Sequence, residues 1–306
     1  MKLKDVLIVG GGTAGLTAAI YAKRAGLSCT VFEQGTPGGK IVSSPKIANY
    51  PALPDVSGYD YAMALWEQAK TCDAEFVMER VIGAELSGNV KTLQTANGSY
   101  EGKTVVLANG AFRKKLGVKG EKELEGRGVS YCATCDGAFF RGKAVAVVGG
   151  GETALEDAAY LAGICETVFL LVREADFSAS GELQKPVLNM ENVTVLKNTV
   201  LEEIKGEKFV TGAQIKNTVT GDTSEISLSA VFVAVGVAPD NSIFKGLSLD
   251  DHGYIAAGED CRTLIPGVFV AGDTRTKELR QLVTAASDGA VAATAAFRYL
   301  KEKAGK

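Results

Sequence analysis

Two stretches of the chain repeat one order of apolar and polar positions. Residues 5–34 run from an apolar segment through a glycine cluster and a helix-forming stretch into a second apolar segment, and residues 143–174 repeat that order. Short, continuous apolar segments are typical of strands that a parallel sheet buries on both faces. Each stretch therefore predicts a strand–helix–strand unit, and together they predict an α/β fold.

The turn after the first strand has the same glycine spacing in both units. The first turn contains Gly10-x-Gly12-x-x-Gly15, and the second contains Gly149-x-Gly151-x-x-Ala154. In this pattern the first glycine makes a tight turn, the second admits a pyrophosphate to the helix N-terminus, and the third position packs the helix against the strand. One copy would also fit an ordinary strand–helix turn, but two copies in this context favour two dinucleotide sites. The predicted fold is two Rossmann-like, three-layer dinucleotide-binding domains.

The residue at the end of the second strand differs between the two units. In the first unit it is Glu33, whose carboxylate can bind a ribose hydroxyl; a solvated strand-end acid is the alternative. The corresponding residue of the second unit is Val172, followed by Arg173 and Glu174. Valine cannot hold a ribose hydroxyl, and Glu174 would repel a 2′-phosphate that Arg173 could meet. The second nucleotide site is therefore predicted to be unorthodox.

Passages rich in glycine and charge divide the chain. One covers residues 110–128 and another residues 237–246, and they bracket the segment with the second glycine turn. We predict one domain from residues 1–114 and 244–306, with a second domain, residues 115–243, inserted in it. Two short connections would permit one domain to rotate against the other. The charge run at residues 119–125 is predicted to be solvated surface.

A cysteine pair, Cys132-Ala-Thr-Cys135, is followed directly by Asp136. This spacing suits a reversible disulfide and often lowers the pKa of one thiol. A zinc site would need more ligands than one pair and a single histidine supply, and no histidine follows for haem attachment. Two structural thiols are the remaining alternative. Asp136 could act as a general acid for a departing thiolate, or it could be a turn or helix-cap residue.

Composition narrows the classes of function. The 306 residues carry a formal net charge of -3, which argues against a nucleic-acid partner, and the single histidine, His252, excludes a Ser-His-Asp hydrolase. The apolar N-terminus contains glycines and lacks a small-residue cleavage pattern, so a signal peptide is not predicted. Residues 284–300 carry Asp288 and Arg298 and predict a helix that does not span a membrane. Because the other four cysteines are isolated, we expect a cytoplasmic protein with no metal site.

The chain resembles the low-molecular-weight thioredoxin reductases of bacteria almost from end to end. The matching motifs are GGGTAGLTAAIYAKRAG, GGK at 38–40, IANYP at 47–51, VVLANGA at 105–111, YCATCDGAFF at 131–140, VGGGETALEDAAYLA, FVAVGVAPD, GVFVAGD at 267–273 and RQLVTAASDGA at 280–290. Members of that family pass a hydride from NADPH to FAD, and electrons then pass through a disulfide to thioredoxin. The resemblance implies FAD as cofactor, thioredoxin or a thioredoxin-like protein as partner, and a homodimer.

The resemblance also implies roles for individual residues. The residues implied to bind FAD are Gly10, Gly12, Ala14, Gly15, Glu33, Gly39, Lys40, Asn49, Ala108, Gly110, Asp273, Arg280 and Gln281. Asp273 would hold the ribitol or phosphate, and Arg280 and Gln281 would lie near the flavin ring. Cys135 is implied to be the flavin-proximal sulfur, Cys132 the more exposed thiol that attacks thioredoxin, and Asp136 the proton donor. The residues implied to dock thioredoxin are Arg127, Phe139 and Phe140.

Three motifs depart from the family pattern. The NADPH signature HRRxxxR is replaced by VREADFS at 172–178, GGQ by GGK at 38–40, and ATG by Ala108-Asn109-Gly110. Lys40 thus places a cation near the flavin. Two lost phosphate contacts, at about 1.5–3 kcal/mol each, would weaken NADPH binding by about a hundredfold or more. We expect NADPH to be a poor donor, and NADH, reduced ferredoxin or a deazaflavin, the last two of which serve some relatives, stay open.

Two other functions stay open on the sequence alone. A flavin NAD(P)H oxidase or ferredoxin–nucleotide reductase would share the fold but does not need the cysteine pair. A non-enzymatic, FAD-binding redox sensor would fit the eroded nucleotide signature. The sequence favours an FAD-dependent thioredoxin-disulfide reductase.

Overall fold

The computed structural model describes residues 3–44, 46–47, 49–53, 55–179 and 181–305, which fall into two compact units. Unit 1 contains the described residues up to Phe112 and from Ala238 onward, and unit 2 is Arg113–Val237. Unit 1 is therefore built from two separate segments, with unit 2 between them in the sequence. The first connection falls close to the predicted residue 114, whereas the second falls at Val237 and not at residue 243.

Residues 238–243 belong to unit 1 because Asn241 is buried there. Its Oδ1 accepts hydrogen bonds from Asn109 Nδ2 at 2.9 Å and from Thr274 Oγ1 at 3.0 Å. Its Nδ2 donates to the carbonyl of Gly253 at 2.9 Å. All three partners lie in unit 1. These tertiary contacts are invisible in a polar, turn-like stretch of sequence, and they account for the difference between residue 243 and Val237.

Strands and helices alternate around the two glycine turns, and a run of consecutive strands follows each of these regions. The helices are α1 (Thr13–Arg24), α2 (Gly58–Thr71), α3 (Ala133–Asp136), α4 (Glu152–Ala162), α5 (Gly181–Leu188) and α6 (Leu282–Ala304), and the short 3₁₀ helices are η1 (Gly39–Ser43), η2 (Gly137–Phe140) and η3 (Gly272–Thr274). The strands are β1 (Lys4–Val9), β2 (Cys29–Phe32), β3 (Glu75–Val77), β4 (Gly83–Glu85), β5 (Lys91–Gln94), β6 (Ser99–Leu107), β7 (Phe112–Arg113), β8 (Val129–Ser130), β9 (Ala144–Val148), β10 (Thr167–Leu171), β11 (Val193–Leu196), β12 (Thr199–Gly206), β13 (Val210–Asn217), β14 (Thr223–Ser227), β15 (Ala230–Val233), β16 (Val237–Ala238) and β17 (Val268–Val270).

The described strands of unit 1 form a sheet in the order β3-β2-β1-β6-β5-β4, with β17 also paired to β6. Strands β1, β2, β3, β6 and β17 pair in parallel, while β4 and β5 extend the sheet in antiparallel fashion. Helices α1 and α6 share one apolar core with β1, β2, β6 and β17. A second core lies against β1, β5, β6 and β17. The carboxyl ends of the parallel strands meet at one edge, where α/β sheets bind nucleotides.

The described strands of unit 2 form a parallel sheet in the order β11-β10-β9-β15-β8. Helices α3, α4 and α5 share a core with β9, β10 and β15. The antiparallel sheet β12-β13-β14 shares a second core with residues of the same parallel sheet. The predicted α/β fold with two Rossmann-like units is therefore confirmed.

The repeat seen in the sequence is also a repeat of atomic contacts. Gly10 has φ +103°, and a Cβ there would collide with the carbonyl oxygen of Ala108, the residue after β6. Gly149 has φ +150°, and a Cβ there would collide with the carbonyl oxygen of Ala234, the residue after β15. The left-handed conformation and the close backbone approach both require glycine. The two turns are therefore built by one geometric rule.

Helix α6 closes unit 1 by direct backbone contact with α1. A Cβ at Gly289 of α6 would collide with the carbonyl oxygen of Ala14 in the first turn of α1. The predicted helix at 284–300 is thus part of the core of unit 1. Of the helices in the described parts of the chain, none is long and apolar enough to cross a membrane.

Three charged side chains are buried together between η3 and α6. The carboxylate of Asp288 in α6 accepts hydrogen bonds from Arg275 Nε and Nη2, both at 2.9 Å, and from Lys277 Nζ at 2.7 Å. It also accepts the Gly272 backbone N–H at 2.9 Å. Burial alone would raise the pKa of Asp288, but these hydrogen bonds outweigh it and the net shift is downward. One carboxylate therefore holds η3 and both cations against α6.

Replacing Asp288 by asparagine is expected to lower the free energy of unfolding of unit 1 by about 3–5 kcal/mol at pH 7, because two buried cations lose their common countercharge. Since the folded-state pKa lies below the ordinary 3.8, the stabilisation is present above that value and is lost as the pH falls through the folded pKa. The penalty should therefore shrink below about pH 4. Trp66, the single tryptophan, lies in α2 at 4.0 Å between ring centroids from Phe76, so its fluorescence reports on unit 1.

The control for this experiment is Asp251→Asn, since Asp251 is exposed. It should change the free energy of unfolding by less than about 0.5 kcal/mol at both pH values. Denaturation should be followed at one fixed FAD concentration, because ligand binding shifts apparent stability. Equal effects of the two substitutions at pH 7 would contradict the role given to the buried carboxylate.

Candidate redox and nucleotide sites

Cys132 and Cys135 of unit 2 are joined by a disulfide, with an S–S distance of 2.06 Å and a Cα–Cα distance of 5.3 Å. Cys132 is the N-cap residue of α3, and its Sγ accepts the backbone N–H of Cys135 at 3.2 Å. Helix α3 packs on α4, because Ala133 shares a core with Leu161. The redox pair is therefore carried by a short turn fixed to the unit that also contains the second glycine turn.

The exposure of the two sulfur-bearing residues is the reverse of the expected order. Cys132 is half-buried and Cys135 is exposed. Cys132 is the N-cap residue of α3, and its backbone N–H donates to the Ser130 hydroxyl. Cys135 lies one turn further along α3. As whole residues, Cys135 is thus the more exposed of the two, and the roles implied for the two sulfurs stay a prediction.

A buried serine links both ends of the redox turn. The Ser130 hydroxyl donates to Asp136 Oδ2 at 2.5 Å and accepts the Cys132 backbone N–H at 3.1 Å. Asp136 is half-buried and ends α3. The carboxylate predicted as proton donor thus lies in a defined position next to the cysteine pair. Ser130 was missed in the sequence, although it stands only two residues before Cys132.

Glu121 was also missed, because it lies in the charge run predicted to be solvated. It is 2% exposed. Its carboxylate accepts the backbone N–H groups of Leu116 at 2.9 Å and Gly117 at 2.6 Å, and the hydroxyl of Tyr131 at 2.8 Å. Burial, followed by the bond to this carboxylate, raises the pKa of Tyr131. The prediction of solvated surface was wrong for Glu121, which anchors the residue directly before Cys132.

The residues predicted to dock thioredoxin differ in accessibility. Phe139 is 80% exposed and Arg127 is exposed. Phe140 is half-buried and packs edge-on against the buried Phe232, at 5.9 Å between ring centroids. Phe140 is therefore mainly a packing residue, and it offers a partner much less accessible surface than Phe139 does.

Residues far apart in the sequence meet in unit 1 at the edge with the first glycine turn. Lys40 Nζ donates to Asp273 Oδ2 at 2.9 Å, and Arg280 Nε donates to the Asp273 carbonyl at 3.3 Å. Asn49 Nδ2 donates to Gln281 Oε1 at 3.1 Å. Five of the residues predicted to bind FAD thus form two small polar groups in the same unit.

The first glycine turn and Glu33 fit a dinucleotide. Glu33 Oε2 accepts the Gly11 N–H at 2.7 Å, so its carboxylate lies directly over the turn. A Cβ at Gly12 would meet only the Gly38 carbonyl oxygen, at 3.8 Å, which leaves room at the N-terminus of α1. Asn109 Oδ1 is buried and has no hydrogen-bond partner among the described residues. Such an orphaned acceptor is costly unless a ligand donates to it.

The other predicted FAD residues surround the same turn. Gly15 and Ala14 open α1, Ala108 lies behind Gly10, and Gly39 begins η1. A Cβ at Gly272 of η3 would lie 2.9 Å from Ala14 Cβ, so η3 also reaches this edge. Gly110 has φ +70° with open space around its Cβ position. The residues present therefore fit FAD in unit 1.

The second glycine turn lacks the carboxylate that the first one has. Val172 takes the position of Glu33, is 1% exposed, and would lie 2.9 Å from a Cβ at Gly150. Ser178 donates its backbone N–H to the Gly150 carbonyl at 2.9 Å. Arg173 Nε pairs with Glu174 Oε1 at 2.8 Å. The one arginine retained from the family signature thus pairs with its neighbour, and both side chains are largely exposed.

The four remaining cysteines are free cysteines, and three of them are buried. Cys29, Cys165 and Cys261 are buried, and burial raises the pKa of Cys29 to about 11 and of Cys261 to about 12. These thiols stay protonated at neutral pH. His252 is exposed in a turn.

Comparisons with known proteins agree with this arrangement. A family profile described as pyridine nucleotide-disulphide oxidoreductase matches residues 4–289. The chain is 41% identical to a thioredoxin reductase of Listeria monocytogenes, over 98% of this chain and 95% of that one. The structure resembles that of Lactococcus lactis thioredoxin reductase, with a TM-score of 0.90 and 36% identity over 98% of this chain and 99% of that one.

A further solved structure is that of a ferredoxin-flavin thioredoxin reductase from Clostridium acetobutylicum. It gives a TM-score of 0.57 and 30% identity, with 100% of both chains covered. These matches extend over nearly the whole chain, so they span the segments that contain both glycine turns and the cysteine pair. The protein therefore belongs to the pyridine nucleotide-disulphide oxidoreductases and, within them, to the FAD-dependent thioredoxin reductases of the low-molecular-weight bacterial type.

Proposed function

We propose that this enzyme carries electrons through FAD in unit 1 and the Cys132–Cys135 disulfide in unit 2 to thioredoxin or a thioredoxin-like protein, with NADPH a poor electron donor. The observation that carries the acceptor is the redox turn, where a disulfide, a half-buried carboxylate and an exposed Phe139 lie together. A nucleotide oxidase or ferredoxin–nucleotide reductase needs none of these. Relatives named thioredoxin reductase support the same acceptor.

The cofactor would be held by the residues at the first glycine turn. Glu33 would bind a ribose, the N-terminus of α1 would face the pyrophosphate, and Asp273 would hold the ribitol or phosphate. Lys40 would add a positive charge beside them. When bound, FAD supplies a carrier that takes electrons from the donor and reduces the disulfide.

The chemistry of the chain's own residues is thiol–disulfide exchange. In the dithiol form, Cys132 attacks one sulfur of the partner's disulfide, the partner's S–S bond breaks, and a mixed disulfide forms. Cys135 then attacks Cys132 Sγ, which releases the partner as a dithiol and restores the Cys132–Cys135 bond. Asp136 takes the proton of the attacking thiol and gives it to the departing thiolate, so two electrons and two protons pass to the partner.

The proposal for the donor depends on the second glycine turn. Val172 cannot hold a ribose hydroxyl, and Arg173 already pairs with Glu174. The Clostridium acetobutylicum relative carries ferredoxin in its name, which makes reduced ferredoxin a candidate donor beside NADH. We further propose a homodimer, as the family resemblance implies, and a cytoplasmic location, as the isolated cysteines predict.

The test is an anaerobic titration of purified enzyme with NADPH, NADH and reduced ferredoxin, following the bleaching of flavin absorbance. Dithionite serves as the control that shows the flavin to be reducible. We expect NADPH to reduce the flavin at least about a hundredfold more slowly than the best donor. Rapid reduction of the flavin at low NADPH concentration would refute the donor proposal. A colourless protein that binds no added FAD would refute the proposed FAD-dependent function.

A further inference from the structure

Ser130 is the last residue of β8 and is 6% exposed. Its hydroxyl has one hydrogen to donate. The contact with Asp136 Oδ2, at 2.5 Å, is far shorter than that with the Cys132 carbonyl, at 3.4 Å, so the hydrogen lies on the line to the carboxylate. A distance in this range is typical of a hydroxyl donating to a charged carboxylate. The same Ser130 oxygen accepts a hydrogen bond from the Cys132 backbone N–H at 3.1 Å.

The serine itself is fixed by the sheet and not by the redox turn. Strand β8 pairs in parallel with β15, and Ser130 lies opposite Phe232, which is fully buried. When the disulfide opens, the covalent link between Cys132 and Cys135 is lost, but the pairing of β8 is untouched. Ser130 then remains as the tie between the first residue of the turn, Cys132, and the last, Asp136.

We propose that Ser130 is a positioning residue for proton transfer during the exchange, acting through Asp136. The inference rests on the proposed role of Asp136 as the acid and base of that step. In the first step of the exchange the Cys132 S–H bond breaks and the proton passes to Asp136. Cys132 Sγ then bonds to one sulfur of the partner, the partner's S–S bond breaks, and the departing thiolate receives the proton from Asp136. The Ser130 hydroxyl holds the carboxylate in place at the end of α3, beside the cysteine pair, through both transfers.

A purely structural role for Ser130, as a capping hydroxyl of the turn, makes a different prediction. A cap stabilises the fold equally whether or not Asp136 can carry a proton. A positioning residue has an effect only while the group that it positions is functional. The two roles are therefore separated by the double-mutant cycle of Ser130 with Asp136.

The experiment measures kcat and KM for thioredoxin in the full-length, FAD-loaded enzyme. Because one hydrogen bond to a charged group is lost, Ser130→Ala should lower kcat about tenfold with KM changed by less than about twofold. Ser130→Thr, which keeps the hydroxyl, should recover kcat to within about threefold of the wild type. Ser227→Ala, an exposed position on β14, is the matched control and should leave both constants unchanged.

Asp136→Asn should lower kcat about a hundredfold, as expected for loss of a general acid and base. Adding Ser130→Ala to Asp136→Asn should then change kcat by less than about twofold. Full additivity, or no rescue by threonine, would overturn the role of Ser130 while leaving that of Asp136 standing. Wild-type turnover in Asp136→Asn would instead overturn the proposed acid, and the role of Ser130 with it.

Discussion

Replacing Cys135 by serine is expected to lower the rate of thioredoxin reduction by at least about a thousandfold, because the group that closes the catalytic cycle is lost. Cys132→Ser should cause a loss of the same size, since neither sulfur can complete the exchange alone. The flavin spectrum of both variants should keep the amplitude of the wild type, because the residues that fit FAD lie in unit 1. Turnover is measured by the appearance of reduced thioredoxin.

The two variants should differ in what they capture. In Cys135→Ser the attacking Cys132 should displace thionitrobenzoate from the single remaining cysteine of a thioredoxin whose other cysteine is replaced by serine. No thiol then lies beside the mixed disulfide to break it, so the complex should survive non-reducing electrophoresis. Cys132→Ser should capture none. This contrast decides between the attacking role implied for Cys132 by the family and the greater exposure of Cys135 in the structure. Capture by Cys132→Ser alone would reverse the two assignments.

Cys72→Ser is the matched control, because Cys72 is a half-buried free cysteine in unit 1. It should leave turnover unchanged. Physiological turnover retained in the double variant at 132 and 135 would favour a nucleotide oxidase or ferredoxin–nucleotide reductase and refute disulfide chemistry.

Glu174→Arg is expected to raise kcat/KM for NADPH by about ten- to a hundredfold, through one new charge-assisted contact to the 2′-phosphate. The substitution also removes the carboxylate that now pairs with Arg173, so two guanidinium groups would replace one guanidinium beside a carboxylate. NADH lacks this phosphate, and its kcat/KM should change by less than about twofold. The measurement is the initial rate of flavin reduction over a series of nucleotide concentrations.

Glu207→Arg is the control for the change of charge, since Glu207 is exposed between β12 and β13 in the separate antiparallel sheet. It should leave NADPH kinetics as they are. If Glu174→Arg has no effect while Val172 still fills the ribose position, the buried valine and not the charge is the barrier. Equal gains for NADPH and NADH would contradict a specific effect on the 2′-phosphate.

The local rules of the fold were readable from the sequence. Gly10 and Gly149 predict their turns, because only glycine tolerates both a positive φ and a backbone carbonyl oxygen so close to its Cα. Cys132 and Cys135 are close in sequence, so their pairing needed no tertiary information. The exchange of Glu33 for Val172 was likewise visible, because equivalent positions in a repeat can be compared directly.

What the sequence could not reveal depends on tertiary packing. Glu121 looks like any member of a charge run, and its burial follows from the two backbone N–H groups and the tyrosine that the fold brings to it. The boundary at Val237 depends on Asn241, whose partners come from three different segments of unit 1. The meeting of Lys40 with Asp273 joins residues far apart in the chain, and only the family resemblance suggested that they share a site.

The contact of α1 with α6 has a consequence for the order in which the protein assembles during synthesis. Unit 2 is continuous, so all of its strands have left the ribosome before α6 is translated. Domains fold as units once their segments are available. Unit 2 can therefore complete its cores first, while the apolar side of α1 stays open to solvent and to chaperones until Gly289 arrives to cover it.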